Sequence, residues 1–121
     1  MLYFYNMSSS EKEDRIFKAL ATATRRALLD ALKDRPQTTG ELCARFDSLD
    51  RCTVMQHLKV LEEADLVIVR RKGRERWNHL NPLPIKHIHD RWISQYAMGA
   101  VAMLDRLKSD LEGAPPEGGL Q

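Results

Sequence analysis

Residues 51–80, RCTVMQHLKVLEEADLVIVRRKGRERWNHL, change their hydrophobic period midway, and that change limits what the chain can build. Val54, Leu58 and Leu61 recur at i, i+4 and i+7, the spacing of one helix face. Cys52, Gln56, Lys59 and Glu63 fall on the opposite face, flanked by Thr53 and Met55. Past Asp65, which tolerates the left-handed backbone of a helix end, the pattern turns β-rich. Leu66–Arg71 and Glu75–Leu80 read as two strands around Lys72-Gly73. A two-stranded hairpin is marginal alone, so it must lean on helices and project its tip outward.

The residues upstream supply those helices. Ser8, Ser9 and Ser10 read as a hinge, and Ser10 with Glu13 as a capping box opening a first helix over about 11–21. Thr22 caps a second helix over 23–33, with Ala27, Leu28, Ala31 and Leu32 facing inward, and Pro36 stops it. Thr38 and Glu41 form another capping box and open a short third helix to about Arg45. Asp47, Ser48 and Leu49 form the turn, and Asp50 caps the fourth helix. After Asn81, Pro82 and Pro84, one long helix is expected over 85–111. The order is α-α-α-α-β-β-α: mostly α, a helix-turn-helix followed by a hairpin wing. The expected organisation is an N-terminal extension over 1–10, the domain over 11–111, and a loose tail over 112–121.

Charge gives the hairpin a purpose. Residues 70–76 hold Arg70, Arg71, Lys72, Arg74 and Arg76 against Glu75, an excess of four positive charges. The whole chain is only +2, so the remaining residues net to −2. A concentrated basic patch on a near-neutral body is the footprint of a polyanion. The alternative is a solvated, charge-rich turn. On the fourth helix, Arg51, Thr53, Gln56 and Lys59 can reach base edges or phosphates. A helix suited to the major groove beside a basic tip favours double-stranded DNA as the partner.

The stripe Ile85, Ile88, Trp92, Tyr96, Ala100, Leu104, Leu107 and Leu111 would run about 40 Å at 1.5 Å per residue. That exceeds what a 121-residue chain needs to close its own core, so half of it is expected to bury against a second copy.

The stretches IFKALATATRRALLDAL, ELCARF and RCTVMQHLKVLEEADLVIVRRKGRERWNHLNP, with RWISQYAMGAVAMLDRL after them, resemble the ArsR family of winged-helix repressors. The resemblance spans about residues 13–111 and is strongest at TRRALL, V-x-x-H-L-x-x-L and G-R-x-R-W-x-x-L. It implies a homodimer paired through the first and last helices, with Ile16, Phe17, Leu20, Trp92, Tyr96, Leu104, Leu107 and Leu111 at the interface. It also implies a palindromic operator and repression of transcription. Arg51, Cys52 and Gln56 fall at the family's base-reading positions, His57 just before the buried leucine, and Arg74 and Arg76 are the wing arginines. Thr38 and Thr39 are counted with this DNA-contacting set. Departures are Thr22-Ala23 for the usual Asp-Pro, Asp65 for Gly, and Met55 for a common Ser.

Many members sense metals through a C-x-C pair in the third helix. Here Cys43 matches the first cysteine but Arg45 stands at the second, and a soft metal wants several thiolates. His87 and His89 are two apart and diverge by about 200° on a helix. The chain therefore resembles the subgroup without the metal pair, and neither a metal nor a cofactor is expected. A metal- or thiol-responsive repressor using Cys43 and Cys52, or His87 and His89, is the alternative. Cys52, beside Arg51 in a first helical turn, has the setting of a redox-active thiol; the plainer reading is a small residue packed on the groove. A small-molecule effector, if any, is expected near Trp92 and Tyr96.

Enzyme chemistry finds no support: G-x-S-x-G, a phosphate loop and H-E-x-x-H are missing from the sequence. A winged helix that docks protein instead of DNA would more often show an aromatic or Met cluster than a basic tip. Two cysteines and no secretory leader point to a reducing cytoplasm, and no run approaches the length of a membrane span. The apolar start, Leu2 to Tyr5, either packs on the body or a partner subunit, or precedes a natural start at Met7.

Overall fold

The computed structural model describes residues 7–93 and 98–113. Among the described residues, nine elements follow one another: α1 (Ser9–Leu20), α2 (Ala23–Leu32), β1 (Gln37–Thr38), α3 (Thr39–Arg45), α4 (Arg51–Glu63), β2 (Val67–Lys72), β3 (Glu75–Leu80), α5 (Leu83–Trp92) and α6 (Met98–Gly113). The chain divides into two units, residues 1–86 and 87–121, with the boundary inside α5.

The first unit is a winged helix-turn-helix. Its core gathers Ile16 and Ala19 from α1, Leu28, Leu29, Ala31 and Leu32 from α2, Leu42 from α3, and Val54, Leu58 and Leu61 from α4. Leu66 and Val67 close it from the wing side. The helical periods therefore face where their spacing demands.

Four helices begin as their polar residues dictate, with one shift. Thr22, Thr38 and Asp50 each accept a backbone N–H three residues on, from Arg25, Glu41 and Thr53. Thr38 and Glu41 complete the expected capping box. The first helix begins earlier than expected. Ser8, not Ser10, is the cap, and its reciprocal partner is Glu11, not Glu13. Both pairs have the same spacing. The serine further upstream wins because it adds a turn that the Ser10 start would leave unformed, and Ser9 and Ser10 join that turn.

The sheet has three antiparallel strands in the order β1-β3-β2. β1 was not expected: two residues carry no period, and it forms because Gln37 and Thr38 pair with Asn78 and Trp77. In the hairpin, Lys72 pairs with Glu75, so Gly73 and Arg74 make the turn. Gly73 takes φ +65, while Asp65 is the one non-glycine with positive φ among the described residues. Positive φ at the first central residue only is the pattern of a type II′ turn, whose twist suits a hairpin. Strand alternation sends Val67, Val69 and Arg71 with Arg76 and Asn78 to the helix side, and Ile68 and Arg70 to the other.

The hairpin returns through Asn81, which is buried. Its side-chain amide donates to Asp65 O at 2.8 Å, and its Oδ1 accepts the Leu83 N–H at 3.2 Å. That bond starts α5 at Leu83, ahead of Pro84, since a proline in the first turn has no N–H to lose.

Of the helix expected over 85–111, the described residues hold α5, which starts at Leu83 and runs to Trp92, and α6, from Met98; residues 94–97, Tyr96 among them, lie outside the described residues. So do Leu2 to Tyr5 and most of the tail. In the second unit, α6 exposes Met103, Leu104, Leu107 and Leu111, and Lys108 pairs with Glu112 at 3.7 Å along it. No described helix is long and apolar enough to cross a membrane.

Asp65 carries two costs at one position. Its φ of 62 suits glycine, and burial raises its carboxyl pKa, against the opposing pull of Lys12. A raised acid pKa means the ionised form is disfavoured in the fold, so the cost is present at neutral pH and falls away as acid protonates the group. Asp65→Gly should therefore stabilise the protein by about 1 kcal/mol at neutral pH, with a smaller gain at acid pH. Urea midpoints at the two pH values check this.

Candidate nucleic-acid interface

α4 presents the exposed face that its sequence promises. Arg51, Cys52, Met55, Gln56 and Lys59 are exposed, and Thr53 and His57 are half-buried. The Asp50 carboxylate accepts the Thr53 N–H at 2.7 Å, a bond that holds its pKa below the ordinary value. That negative charge at the positive helix end leaves the first turn well ordered.

Beside this face runs an open groove of about 400 Å³ between α4 and the wing. Met55, Gln56, Lys59 and Glu62 form its helix wall, and Val69, Arg76 and Asn78 its wing wall. A smaller groove of about 190 Å³ continues it toward the wing tip, between Arg51, Met55 and the stretch Arg74–Arg76.

The basic residues divide into two kinds. Arg51, Lys59, Arg70, Arg71, Lys72 and Arg74 are exposed and form no ion pair among the described residues. Arg76 is different: it is half-buried, and its guanidinium lies 3.6 Å from a Glu62 carboxylate oxygen on α4. Arg71 stands directly across the ladder from Arg76. Two cations facing each other there repel unless an anion lies near.

Thr38 and Thr39 do not present free hydroxyls. Both are buried; the Thr38 hydroxyl caps Glu41 at 3.0 Å, and the Thr39 hydroxyl accepts from Asn78 at 3.2 Å. They shape the groove from inside the fold. Among the residues expected at an interface with a second copy, Phe17 (45% exposed), Trp92, Leu104, Leu107 and Leu111 are open, but Ile16 is only 5% exposed and belongs to the core of the first unit. Leu20 is half-buried.

Sequence reasoning missed Arg25. Its Nε donates to Ala19 O at 2.7 Å and one terminal nitrogen to Lys18 O at 3.0 Å, closing the carbonyl end of α1. Its other terminal nitrogen lies 3.3 Å from His57 Nδ1 on α4. A guanidinium can only donate, so Nδ1 accepts and the His57 proton sits on Nε2. Arg26 repeats the first part, donating to Leu20 O at 2.6 Å. The only sequence signal was the pair of arginines following a helix cap.

Cys43 is half-buried on α3, with Arg45 exposed two residues on, and Cys52 is exposed. His87 and His89 are exposed on α5; His89 Nδ1 lies 3.4 Å from Asp90. Among the described residues, no three His, Cys, Asp or Glu side chains gather as a metal would need.

Comparison with known proteins matches this geometry. A helix-turn-helix domain family covers residues 20–70. The HTH-type transcriptional regulator Rv2034 of Mycobacterium tuberculosis is 37% identical over 102 residues, 82% of this chain and 94% of that protein. The transcriptional repressor SdpR of Bacillus subtilis is 32% identical over 68 residues, 56% of this chain and 74% of that protein. A crystal structure of an ArsR family transcriptional regulator is similar at a TM-score of 0.64 and 31% identity, covering 73% of this chain and 89% of that one.

The Arg25–His57 contact has a pH signature. Burial, and then the Arg25 charge, lower the His57 pKa from its ordinary 6.5. A depressed histidine pKa gives stability that is full above 6.5 and is lost as pH falls toward the folded value, because the unfolded chain takes up the proton first. Wild type should therefore lose more melting temperature between about pH 7.5 and about pH 5.5 than His57→Gln does. Equal losses would separate His57 from the effect.

Proposed function

The chain belongs to the ArsR family of helix-turn-helix transcriptional regulators, proteins that act by binding DNA rather than as enzymes, and from that premise we propose that it is a homodimeric repressor of an inverted-repeat operator. The observation that carries the reading is the set of exposed cations with no ion pair among the described residues, Arg51 and Lys59 on α4 and Arg70, Arg71, Lys72 and Arg74 on the wing, around the exposed face of a helix that can enter a major groove. In this reading α4 contacts base edges with Arg51, Cys52, Thr53 and Gln56, and the wing contacts phosphates. A relative's name as a transcriptional repressor supports the sign of regulation. A repressor acts where the chromosome lies, so we infer a cytoplasmic protein.

Pairing of two copies rests on the open apolar side chains of α1 and α6. Leu104, Leu107 and Leu111 recur at spacings of three and four, the seam of a helix pair, and Leu111 is 75% exposed. An effector that releases the operator fits the regulatory role, with its site near Trp92. Thiol control through Cys52 is the second reading: the thiol is exposed, next to Arg51, in the first turn of α4.

Two substitutions separate affinity from sequence reading. Gln56→Ala should cost about 1–3 kcal/mol on the operator and little on mixed-sequence duplex. Arg74→Ala should weaken both alike and flatten the slope of log K against log salt by about one unit. Fluorescence anisotropy titrations from 50 to 200 mM salt measure both. An Arg74→Ala variant that binds as tightly as wild type throughout would reduce the basic cluster to a solvated turn.

Pairing is tested independently. Leu104→Glu with Leu107→Glu should convert a dimer to a monomer in sedimentation and lower operator affinity roughly 100-fold or more, because two half-sites no longer act together. A wild-type chain that sediments as a monomer at micromolar concentration sinks the dimer.

A further inference from the structure

The family reading groups Arg74 and Arg76 as equivalent wing arginines. The geometry does not. Arg74 sits in the hairpin turn, exposed and without an ion pair among the described residues. Arg76 is the second residue of β3, half-buried, with its guanidinium 3.6 Å from Glu62 on the last turn of α4. Along α4, Met55, Lys59 and Glu62 lie at i, i+4 and i+7 and form the wall that faces the wing. Glu62 is therefore three residues past Lys59, away from the helix start that would enter a groove, and it draws Arg76 with it.

We propose that Glu62 and Arg76 form a clamp that sets the spacing between the recognition helix and the wing, with Arg76 a positioning residue and not a phosphate ligand. The proposal rests on the reading of the wing as a DNA-contacting element. The Glu62 carboxylate also answers a local charge problem. Arg71 and Arg76 face each other across β2 and β3 on the helix side of the sheet. With Arg76 neutralised by Glu62, Arg71 is left as the cation of that pair that can meet a phosphate. The clamp thus divides the wing arginines by role: Arg71 and Arg74 supply free charge, and Arg76 fixes where that charge stands relative to Gln56 and Lys59.

The sign of one substitution decides between the two roles. If Arg76 is a phosphate ligand restrained by Glu62, removing the carboxylate frees it: Glu62→Gln would tighten binding and steepen the salt dependence. If the pair is a clamp, Glu62→Gln and Arg76→Gln should each weaken binding by roughly two- to fivefold, the range of an exposed ion pair, and leave the salt slope unchanged. The exchanged pair, Glu62→Arg with Arg76→Glu, should restore most of the loss. The probe is a mixed-sequence 30-base-pair duplex, titrated by anisotropy from 50 to 200 mM potassium chloride with the full chain. Thermal melts of each variant confirm folding, and both glutamine changes are at half-exposed positions that tolerate them. Arg74→Ala is run beside them. A normal affinity and slope in Arg74→Ala defeats the DNA-contacting wing itself. A reduced slope in Arg74→Ala together with an equally reduced slope in Arg76→Gln, tighter binding by Glu62→Gln, or no change in either glutamine variant overturns the clamp.

Discussion

The side-chain amide of Asn78 holds the wing to the rest of the fold. It is 1% exposed, in the middle of β3, and donates to Gln37 O and to the Thr39 hydroxyl, each at 3.2 Å. The Gln37 amide in turn donates to Ala31 O on α2. One chain of buried polar groups therefore runs from α2, through β1 and the start of α3, into the central strand. Such a network is costly when half satisfied and rigid when complete. A two-stranded hairpin has little stability of its own. Here the third strand and this network give it a fixed root, and only the tip beyond Arg71 and Arg76 projects.

How much of this could be read from the sequence depends on the range of the interaction responsible. α2, α3 and α4 were legible because their caps and apolar faces are local: Thr22, Thr38 and Asp50 bond three residues along, and Val54, Leu58 and Leu61 repeat within one helix. The hairpin was legible because Gly73 must supply a positive φ between two β-rich runs. β1 was not, since its two residues owe their conformation to partners about forty positions away. The start of α1 was ambiguous because Ser8–Glu11 and Ser10–Glu13 have the same spacing. The cationic surface was legible as composition, but its division was not. No pattern in RRKGRER says that Arg76 turns toward Glu62 while Arg74 stays in solvent.

Arg25 shows the same limit from the other side. Its sequence context, TRRALL, reads as an ordinary helix start. In the fold its guanidinium closes the end of α1 and reaches His57 on α4 at 3.3 Å. One side chain thus touches the helix that opens the domain, the helix that carries it, and the helix proposed to meet DNA. A guanidinium suits this junction because its donors are fixed in one plane and it stays charged at any physiological pH. Lysine could reach one carbonyl but could not hold two carbonyls and a ring nitrogen together.

Free and engaged cations contribute to DNA binding in different ways. An unpaired arginine near a phosphate gains by releasing condensed counterions, and that gain is blind to sequence and falls steeply with salt. A cation already paired with a carboxylate has much less to release. Charge alone would therefore hold this protein on any duplex without fixing its register. Register comes from rigid parts: the core face of α4 under Val54, Leu58 and Leu61, the Arg25 contact behind His57, and the Asn78 network under the wing. Those parts keep Gln56 and Arg74 in one spatial relation, so in the proposed reading the most favourable phosphate contacts and a base contact are made together at some sequences and not at others. On that proposal, discrimination between sites follows from that rigidity, and the basic cluster supplies the affinity on which it acts.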